Sequence, residues 1–292
     1  MSLKSEIQQL LNKYEITPNK VLGQNFLIEK RYILDLIVAA EISKDDTILE
    51  VGPGTGEITK ELATRAKKVV AIEKDPNMVR ILKNELRGFE NVKIVQEDIL
   101  KFSIIPERSR RSGINGAGNG PACAEDTADR QFSNYKLVGA PPYYLTGRLF
   151  RKFLEDIKDP PQTIAVIIQE GIAEKIMAQP PKSSLLAISV QLYGRAMMKK
   201  RVPKDAFWPK PNVNSAILTI SDIKKPKINE KEFFRVLKAG FSSPRKQLAV
   251  NFARELKISR PDVENLLKKA DINPSARAET LKLEDWLRLA KS

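Results

Sequence analysis

"LEVGPGTGEIT", Leu49 to Thr59, is the stretch on which the fold turns. A short apolar run leads into Gly52, Gly54 and Gly56 at alternate positions, and a helix-compatible segment follows. Without side chains, glycines let the main chain turn tightly and approach a ligand closely. Alternating glycines alone serve many ligands or none; their place between a strand and a helix is what gives them meaning. Downstream, "KKVVAIEKD" (67–75) and "NVKIVQEDIL" (91–100) read as two further strands that each end in acid. "YKLVGA" (135–140) and "QTIAVIIQE" (162–170) make a fourth and a fifth. These runs are short, unbroken and rich in Val and Ile, with helical spacing between them. That is the pattern of strands buried on both faces of a mostly parallel sheet, so the expected class is α/β with a Rossmann-like sheet.

On the amino-terminal side, residues 3–14 have helical spacing, with Ile7, Leu10 and Leu11 on one face. "VLGQNFLIEKRYILDLIVAAEI" (21–42) reads as a turn around Gly23 and then an amphipathic helix. Further on, a helix is expected over 146–156 and another over 183–193. "GRAMMKKRVP" (194–203) and "VNSAILTISDI" (213–223) follow as two strands that add an antiparallel edge, joined by the loop "PKDAFWPKPNVNS" (203–215). "KKPKIN" (224–229) is a linker, and the remainder is helical without strand pattern. The expected organisation is a sheet domain over 1–223 and a small helical domain over 229–292. The polar segment 103–134, rich in Gly, Ala, Ser, Asn and charge, is expected to be a flexible insertion.

Composition narrows the function. The 292 residues carry 50 Lys plus Arg against 36 Asp plus Glu, a formal net charge of +14, which favours a polyanionic partner such as nucleic acid. Histidine is absent, which excludes histidine-based triads, histidine general bases and histidine-containing zinc deaminase sites. One cysteine, Cys123, excludes an internal disulfide framework. No apolar run is long enough to cross a membrane as a helix, and the first twenty residues lack a signal-peptide core. The expectation is a cytoplasmic protein with no membrane partner and no metal.

Glu50, Glu73 and Asp98 end the first three strands and should gather at the carboxyl edge of the sheet, the ligand crevice of doubly wound folds. An acid after the second strand can accept both hydroxyls of a ribose, and one after the third can accept from an adenine amine. This geometry admits both NAD and S-adenosylmethionine. Glu50 beside the glycine loop would repel a pyrophosphate and tolerate a cationic sulfonium, which favours S-adenosylmethionine. An NAD-dependent oxidoreductase stays open as an alternative. "APPYYL" (140–145) follows the fourth strand and faces the same crevice. A proline-stiffened turn offers the carbonyl of Pro141, held by Pro142, and the ring of Tyr143 as a stacking face for a flipped base. Such a loop suits methylation of an exocyclic amine, which needs hydrogen-bond acceptors and in-line positioning more than a strong base. In "FWPKPNVNS" (207–215), Phe207, Trp208 and Lys210 suggest a base-handling platform. Arg245 and Lys246, with Lys238 and Arg254, suggest phosphate contacts from the helical domain.

Together these motifs resemble the small-subunit ribosomal RNA adenine dimethyltransferases, whose relatives include macrolide-resistance enzymes acting on large-subunit rRNA. The matching stretches are "LGQNFL" (22–27), "LEVGPGTGEIT", "VVAIEKD" (69–75), "VQEDIL" (95–100), "VPKDAFWPKPNVNSA" (202–216), "FSSPRKQL" (241–248) and "RAETL" (277–281). The resemblance implies S-adenosylmethionine binding at Asn25, Leu27, Gly52, Gly54, Glu73, Asp98 and position 140. It also implies dimethylation of two adjacent adenines near the 3′ end of small-subunit rRNA during ribosome maturation. The immature small subunit is then the partner, met by a monomer whose helical domain helps engage rRNA. The late "RAETL" and the "FWPKPNVNSA" form look more like the ribosome-maturation branch than the macrolide-resistance branch. The chain departs from the family at two places. Ala140 stands where the family loop carries asparagine, and Pro244 where it usually has the first of two arginines. The first departure implies reduced methyl transfer and supports an alternative, an inactive ribosome-assembly factor that binds pre-ribosomal RNA.

Overall fold

The computed structural model describes residues 1–19, 21–104 and 134–291; the insertion expected over 103–134 lies, but for its ends, outside the described residues. Helix α1 spans Leu3–Lys13, strand β1 Phe26–Leu27 and helix α2 Lys30–Ala39. The sheet then begins with β2 (Thr47–Val51), followed by α3 (Glu57–Ala63), β3 (Lys68–Glu73), α4 (Pro76–Glu85) and β4 (Val92–Gln96). After β5 (Tyr135–Gly139) comes α5 (Thr146–Phe150), which widens into a π-helical stretch over Arg151–Asp156. Next are β6 (Thr163–Gln169), α6 (Glu170–Met177), α7 (Leu185–Gln191), β7 (Arg195–Val202), β8 (Phe207–Trp208) and β9 (Ser215–Ser221).

Among the described residues, seven strands form one sheet in the order β4-β3-β2-β5-β6-β9-β7. The pairs from β4 to β6 are parallel and β6–β9 is antiparallel; β9, from 213–223, is this antiparallel addition and β7, from 194–203, lies at the edge beyond it. Strand order reverses between β2 and β5, the topological switch point at which such sheets open a crevice. Register brings Val51, Ile72 and Gly139 level, so the loops after β2, β3 and β5 leave from one edge. The apolar runs are there because both faces are covered: Ile48, Leu49, Val69, Val70, Leu137, Val138 and Ile164 are fully buried.

A separate two-stranded pairing was not foreseen from the sequence. Phe26 pairs with Trp208 and Leu27 with Phe207, and the Ile28 amide donates to the Ala206 carbonyl. Two residues are too few to show period-2 alternation, so this clip reads in the sequence as loop at both ends.

The chain divides into two compact units, residues 1–170 with 198–223, and residues 171–197 with 224–292. The second unit therefore takes α6 and α7 as well as the C-terminal helices α8 (Glu230–Gly240), α9 (Leu248–Leu256), α10 (Arg260–Lys269) and α11 (Leu283–Leu289). That differs from the contiguous 1–223 and 229–292 reading. The Ser183 amide donates to Glu279 O, and the Tyr193 hydroxyl donates to Glu230, so long-range bonds hold 171–197 in the helical unit. Within this unit Trp286 stacks on Phe241 with ring centroids 5.4 Å apart, and Gly240 packs against its ring.

Gly139 fixes how closely β5 meets β2. Its φ is +147°, and a Cβ there would lie 2.3 Å from the Val51 carbonyl oxygen, a main-chain atom of the adjoining strand. Gly139→Ala is expected to cost about 3 kcal/mol of stability. Equilibrium denaturation measures this, and a loss below about 0.5 kcal/mol would show that the strands can part there without penalty.

Candidate functional site

The glycine loop after β2 is shaped by main-chain need. Gly52, Gly54 and Gly56 all have positive φ, at +67°, +58° and +92°. A Cβ on Gly52 would meet the Ala140 carbonyl at 3.5 Å, so the glycine loop and the loop after β5 lie in contact. The Gly54 amide donates to Glu73 Oε2 at 3.3 Å, and the Asp75 amide donates to Glu73 Oε1 at 2.8 Å. Glu73 is thereby held at the end of β3 by the loop it faces. Burial keeps its carboxyl above the usual range despite those two amides.

A cavity opens here, lined by the glycine loop, by Gly23 to Phe26, by Glu73, Asp98 and by Ala140, Pro142 and Tyr144. Asp98 accepts from the Leu100 amide at 3.0 Å and pairs with Lys74 at 3.1 Å. Burial pulls its carboxyl upward, but that amide and the Lys74 ammonium outweigh it, leaving it below the ordinary range. Asp75 caps α4 and accepts from Gln24 Nε2 at 2.7 Å, which ties the 19–25 segment to the sheet edge. Four carboxylates, Glu73, Asp75, Glu97 and Asp98, line the cavity with one lysine, Lys74. Such a lining suits ribose hydroxyls, an amine and a cationic sulfonium, and repels a pyrophosphate. The donor set fits S-adenosylmethionine.

Glu50 has no part in that discrimination, contrary to the sequence reading. It is fully buried, lies outside the cavity lining, and neither carboxyl oxygen has a hydrogen-bond partner of good geometry. Burial pushes its carboxyl up to about 8; the Glu73 carboxylate adds to the rise and Thr59 opposes it. Glu50 is therefore mostly uncharged at neutral pH and cannot repel a ligand.

A second, smaller cavity adjoins the first. Gly23, Asn25, Ala140 and Pro142 line both, while Pro141, Tyr143, Ile167 and Phe207 line only the smaller one. The Tyr143 hydroxyl lies 2.6 Å from Ser215 Oγ at the start of β9, and Ser215 is fully buried. Burial holds the Tyr143 hydroxyl above its ordinary range, which the bond to Ser215 only partly offsets. Thr146 Oγ1 donates to the Tyr143 carbonyl at 3.0 Å, so the ring is fixed from both ends.

Two other expected site residues are elsewhere. Leu27 is buried in the main core, absent from both cavity linings, because its pairing with Phe207 turns it inward; only its main chain is left to offer a ligand. Phe207 is 4% exposed and belongs to the same core, so it is a wall of the smaller cavity and not an open platform. Trp208 is half-buried and packs on the cluster of Ile7, Leu11, Phe26, Met78 and Ile81. Lys210 is exposed and paired with Asp205 at 2.5 Å. In the helical unit, Arg245 and Lys246 are exposed on the turn between α8 and α9. Buried Asn251 ties that turn down by donating to the carbonyls of Gly240 (2.7 Å) and Ser243 (3.0 Å). Sequence reasoning missed Gln24, Asp75 and Ser215; of these only Asp75, before Pro76, carried a signal as a helix cap.

Among the described residues, no helix is long and apolar enough to cross a membrane, and no group of three or more His, Cys, Asp or Glu could hold a metal ion.

Comparison with known proteins gives the family. A family model described as ribosomal RNA adenine dimethylase matches residues 16–292. The chain is 35% identical over 291 residues to ribosomal RNA small subunit methyltransferase A of Dehalococcoides mccartyi (strain CBDB1), covering 99% of this chain and 92% of that protein. It is 34% identical over 288 residues to the protein of the same name from Clostridium botulinum (strain Okra / Type B1), covering 97% and 96%. Among solved structures, the 23S rRNA methyltransferase ErmE superposes with a TM-score of 0.66 at 26% identity, over 91% of this chain and 98% of that one. A dimethyladenosine transferase from Plasmodium falciparum superposes with a TM-score of 0.69 at 23% identity, over 89% and 94%, which shows a shared fold.

The buried Glu50 makes a pH prediction. Its folded-state value lies above the ordinary 4.5, so the native state holds a proton that the unfolded chain gives up between about 4.5 and 8. Its contribution is fully present below that window and is lost as pH rises through it. Between pH 5 and pH 8.5 the native protein should lose on the order of 3 to 4 kcal/mol more stability than Glu50→Gln, which stays neutral throughout. Parallel denaturation curves for the two proteins at both pH values would contradict a buried, protonated Glu50.

Proposed function

The chain belongs to the ribosomal RNA adenine dimethylase family, and on that premise we propose that it methylates the N6 amine of two adjacent adenines near the 3′ end of small-subunit rRNA, using S-adenosylmethionine. The observation that carries this reading is the pair of adjoining cavities that share Asn25 and Ala140. The acidic cavity suits the methyl donor and the smaller aromatic one suits a flipped base. Held in the acidic cavity by Glu73 and Asp98, S-adenosylmethionine would supply an electrophilic methyl group on its sulfonium, which a neutral amine could accept and then lose its proton to solvent.

The protein's own residues bind and orient. Glu73 accepts from ribose hydroxyls at the end of β3, and Asp98 accepts from the adenine amine of the cofactor. Gly52 lets the loop after β5 come close to the glycine loop. Tyr143, fixed by Ser215, gives its face to the target base, and Phe207 walls the other side. The Pro141 carbonyl accepts from the target amine, which withdraws its lone pair from conjugation in the manner of preorganised electrostatic catalysis. No histidine is needed, because the amine attacks before it loses its proton.

The partner we assign is the immature small ribosomal subunit, met by a monomer in the cytoplasm. The small-subunit relatives at 34% and 35% identity support this over the large-subunit reading, for which the likeness is 26%. The net charge of +14 and the exposed Arg245 and Lys246 support phosphate contacts.

Transfer of labelled methyl groups to small subunits lacking the modification, read at nucleotide level, tests this function. Incorporation at adjacent adenines is expected; tight cofactor binding with no incorporation would favour the assembly-factor alternative that Ala140 supports. Because Ala140 lacks an amide, Ala140→Asn should raise kcat by about tenfold to 1,000-fold, the worth of one positioned contact in a catalytic site. Equal rates for the two proteins would remove any role for position 140. For RNA binding, Arg245→Ala with Lys246→Ala should flatten the dependence of log K on log salt by about two. An unchanged slope in a filter-binding titration would take both residues out of the interface.

A further inference from the structure

Methylation of an exocyclic amine calls for acceptors aimed at its hydrogens, and position 140 supplies none from its side chain. Ala140 offers only a methyl group where the two cavities meet. Among the described residues lining the smaller cavity, only two side chains are polar, Asn25 and Tyr143. The Tyr143 hydroxyl is already engaged with Ser215. Asn25 is the remaining candidate, and it also lines the cofactor cavity.

The orientation of its amide follows from its neighbour. Asn25 Nδ2 donates to the Gly23 carbonyl at 3.1 Å, and a carbonyl can only accept, so the amino end must face Gly23. The other end, Oδ1, takes no hydrogen bond among the described residues. The backbone around it is held firmly. Phe26 and Leu27 pair with Trp208 and Phe207 directly after it. Before it, Gly23 has φ +66° and lies so close to the loop after β5 that a Cβ would meet Pro142 Cβ at 3.3 Å. A half-buried amide with a tethered amino end and an unengaged oxygen is thus pinned beside Ala140.

We propose that the side-chain oxygen of Asn25 takes the place of the missing amide at position 140, accepting a hydrogen bond from the target adenine amine in the smaller cavity. This rests on the adenine methyltransferase reading and adds a substrate contact to a residue assigned only to the cofactor. The Pro141 carbonyl and Asn25 Oδ1 are then the amine's acceptors on this protein, and because Asn25 makes up for the missing amide only in part, restoring it in Ala140→Asn still raises kcat.

The test is a double-mutant cycle on methyl transfer to unmethylated small subunits at saturating S-adenosylmethionine, with cofactor affinity measured separately by calorimetry. Asn25→Ala should lower kcat by about 100-fold in the native background, the loss expected for one catalytic hydrogen bond. In the Ala140→Asn background, where a second amide is available, the same change should cost less than about threefold. Asn25→Asp keeps an acceptor and loses the donor to Gly23, so it should retain kcat within about tenfold of the native value. The proposal is overturned if Asn25→Ala costs the same in both backgrounds, or if it weakens only cofactor affinity. It is equally overturned if Asn25→Asp is as slow as Asn25→Ala, which would mean that holding Gly23 is the whole role. A different result, no incorporation by either the native protein or Ala140→Asn, would instead bring down the methyltransferase reading itself.

Discussion

The close approach of β5 to β2 at Gly139 is the constraint on which the site depends. With no Cβ to keep the strands apart, the chain leaves β5 directly against the end of β2. The Ala140–Tyr143 loop therefore comes to lie over Gly52 instead of pointing into solvent. Every later feature of the site uses that proximity: the shared wall of the two cavities, the packing of Gly23 on Pro142, and the reach of Tyr143 to Ser215. A glycine at the end of a buried strand is a weak signal in sequence, yet here it sets the distance between the glycine loop and the loop after β5.

Electrostatics around this contact are divided by burial. Glu50 sits in the middle of an apolar environment and gives up its charge, while Asp98, two strands outward, keeps its charge through Lys74 and a main-chain amide. Glu73 lies between these cases, desolvated but held by the amides of Gly54 and Asp75. Three acids that look alike at the ends of three strands thus do different work. One is a neutral core group, and the others form an acidic rim suited to hydroxyls, amines and a sulfonium.

The paired strands β1 and β8 join two motifs that are about 180 residues apart. Asn25 is positioned because Phe26 and Leu27 are clipped to Phe207 and Trp208, and Phe207 becomes a cavity wall through the same clip. The aromatic residues that suggested a surface for bases are used mainly for packing. Of the two, Phe207 also forms a wall of the smaller cavity.

Much of this was legible in the residues. The Val- and Ile-rich runs, the alternate glycines and the acids at strand ends determined a mostly parallel sheet with a ligand crevice at its carboxyl edge, because periodicity and chain stiffness act locally. The motifs from Leu22 to Leu281 carried the family in the same way. Burial and long-range pairing were not legible, since they depend on which distant segment covers a residue. Hence the neutral state of Glu50, the inward turn of Leu27 and Phe207, the partnership of Tyr143 with Ser215, and the place of 171–197 in the helical unit were decided only in three dimensions. Sequence determined which groups are available to the chemistry; tertiary packing decided which of them keep a charge, a free lone pair and a view of the cavity.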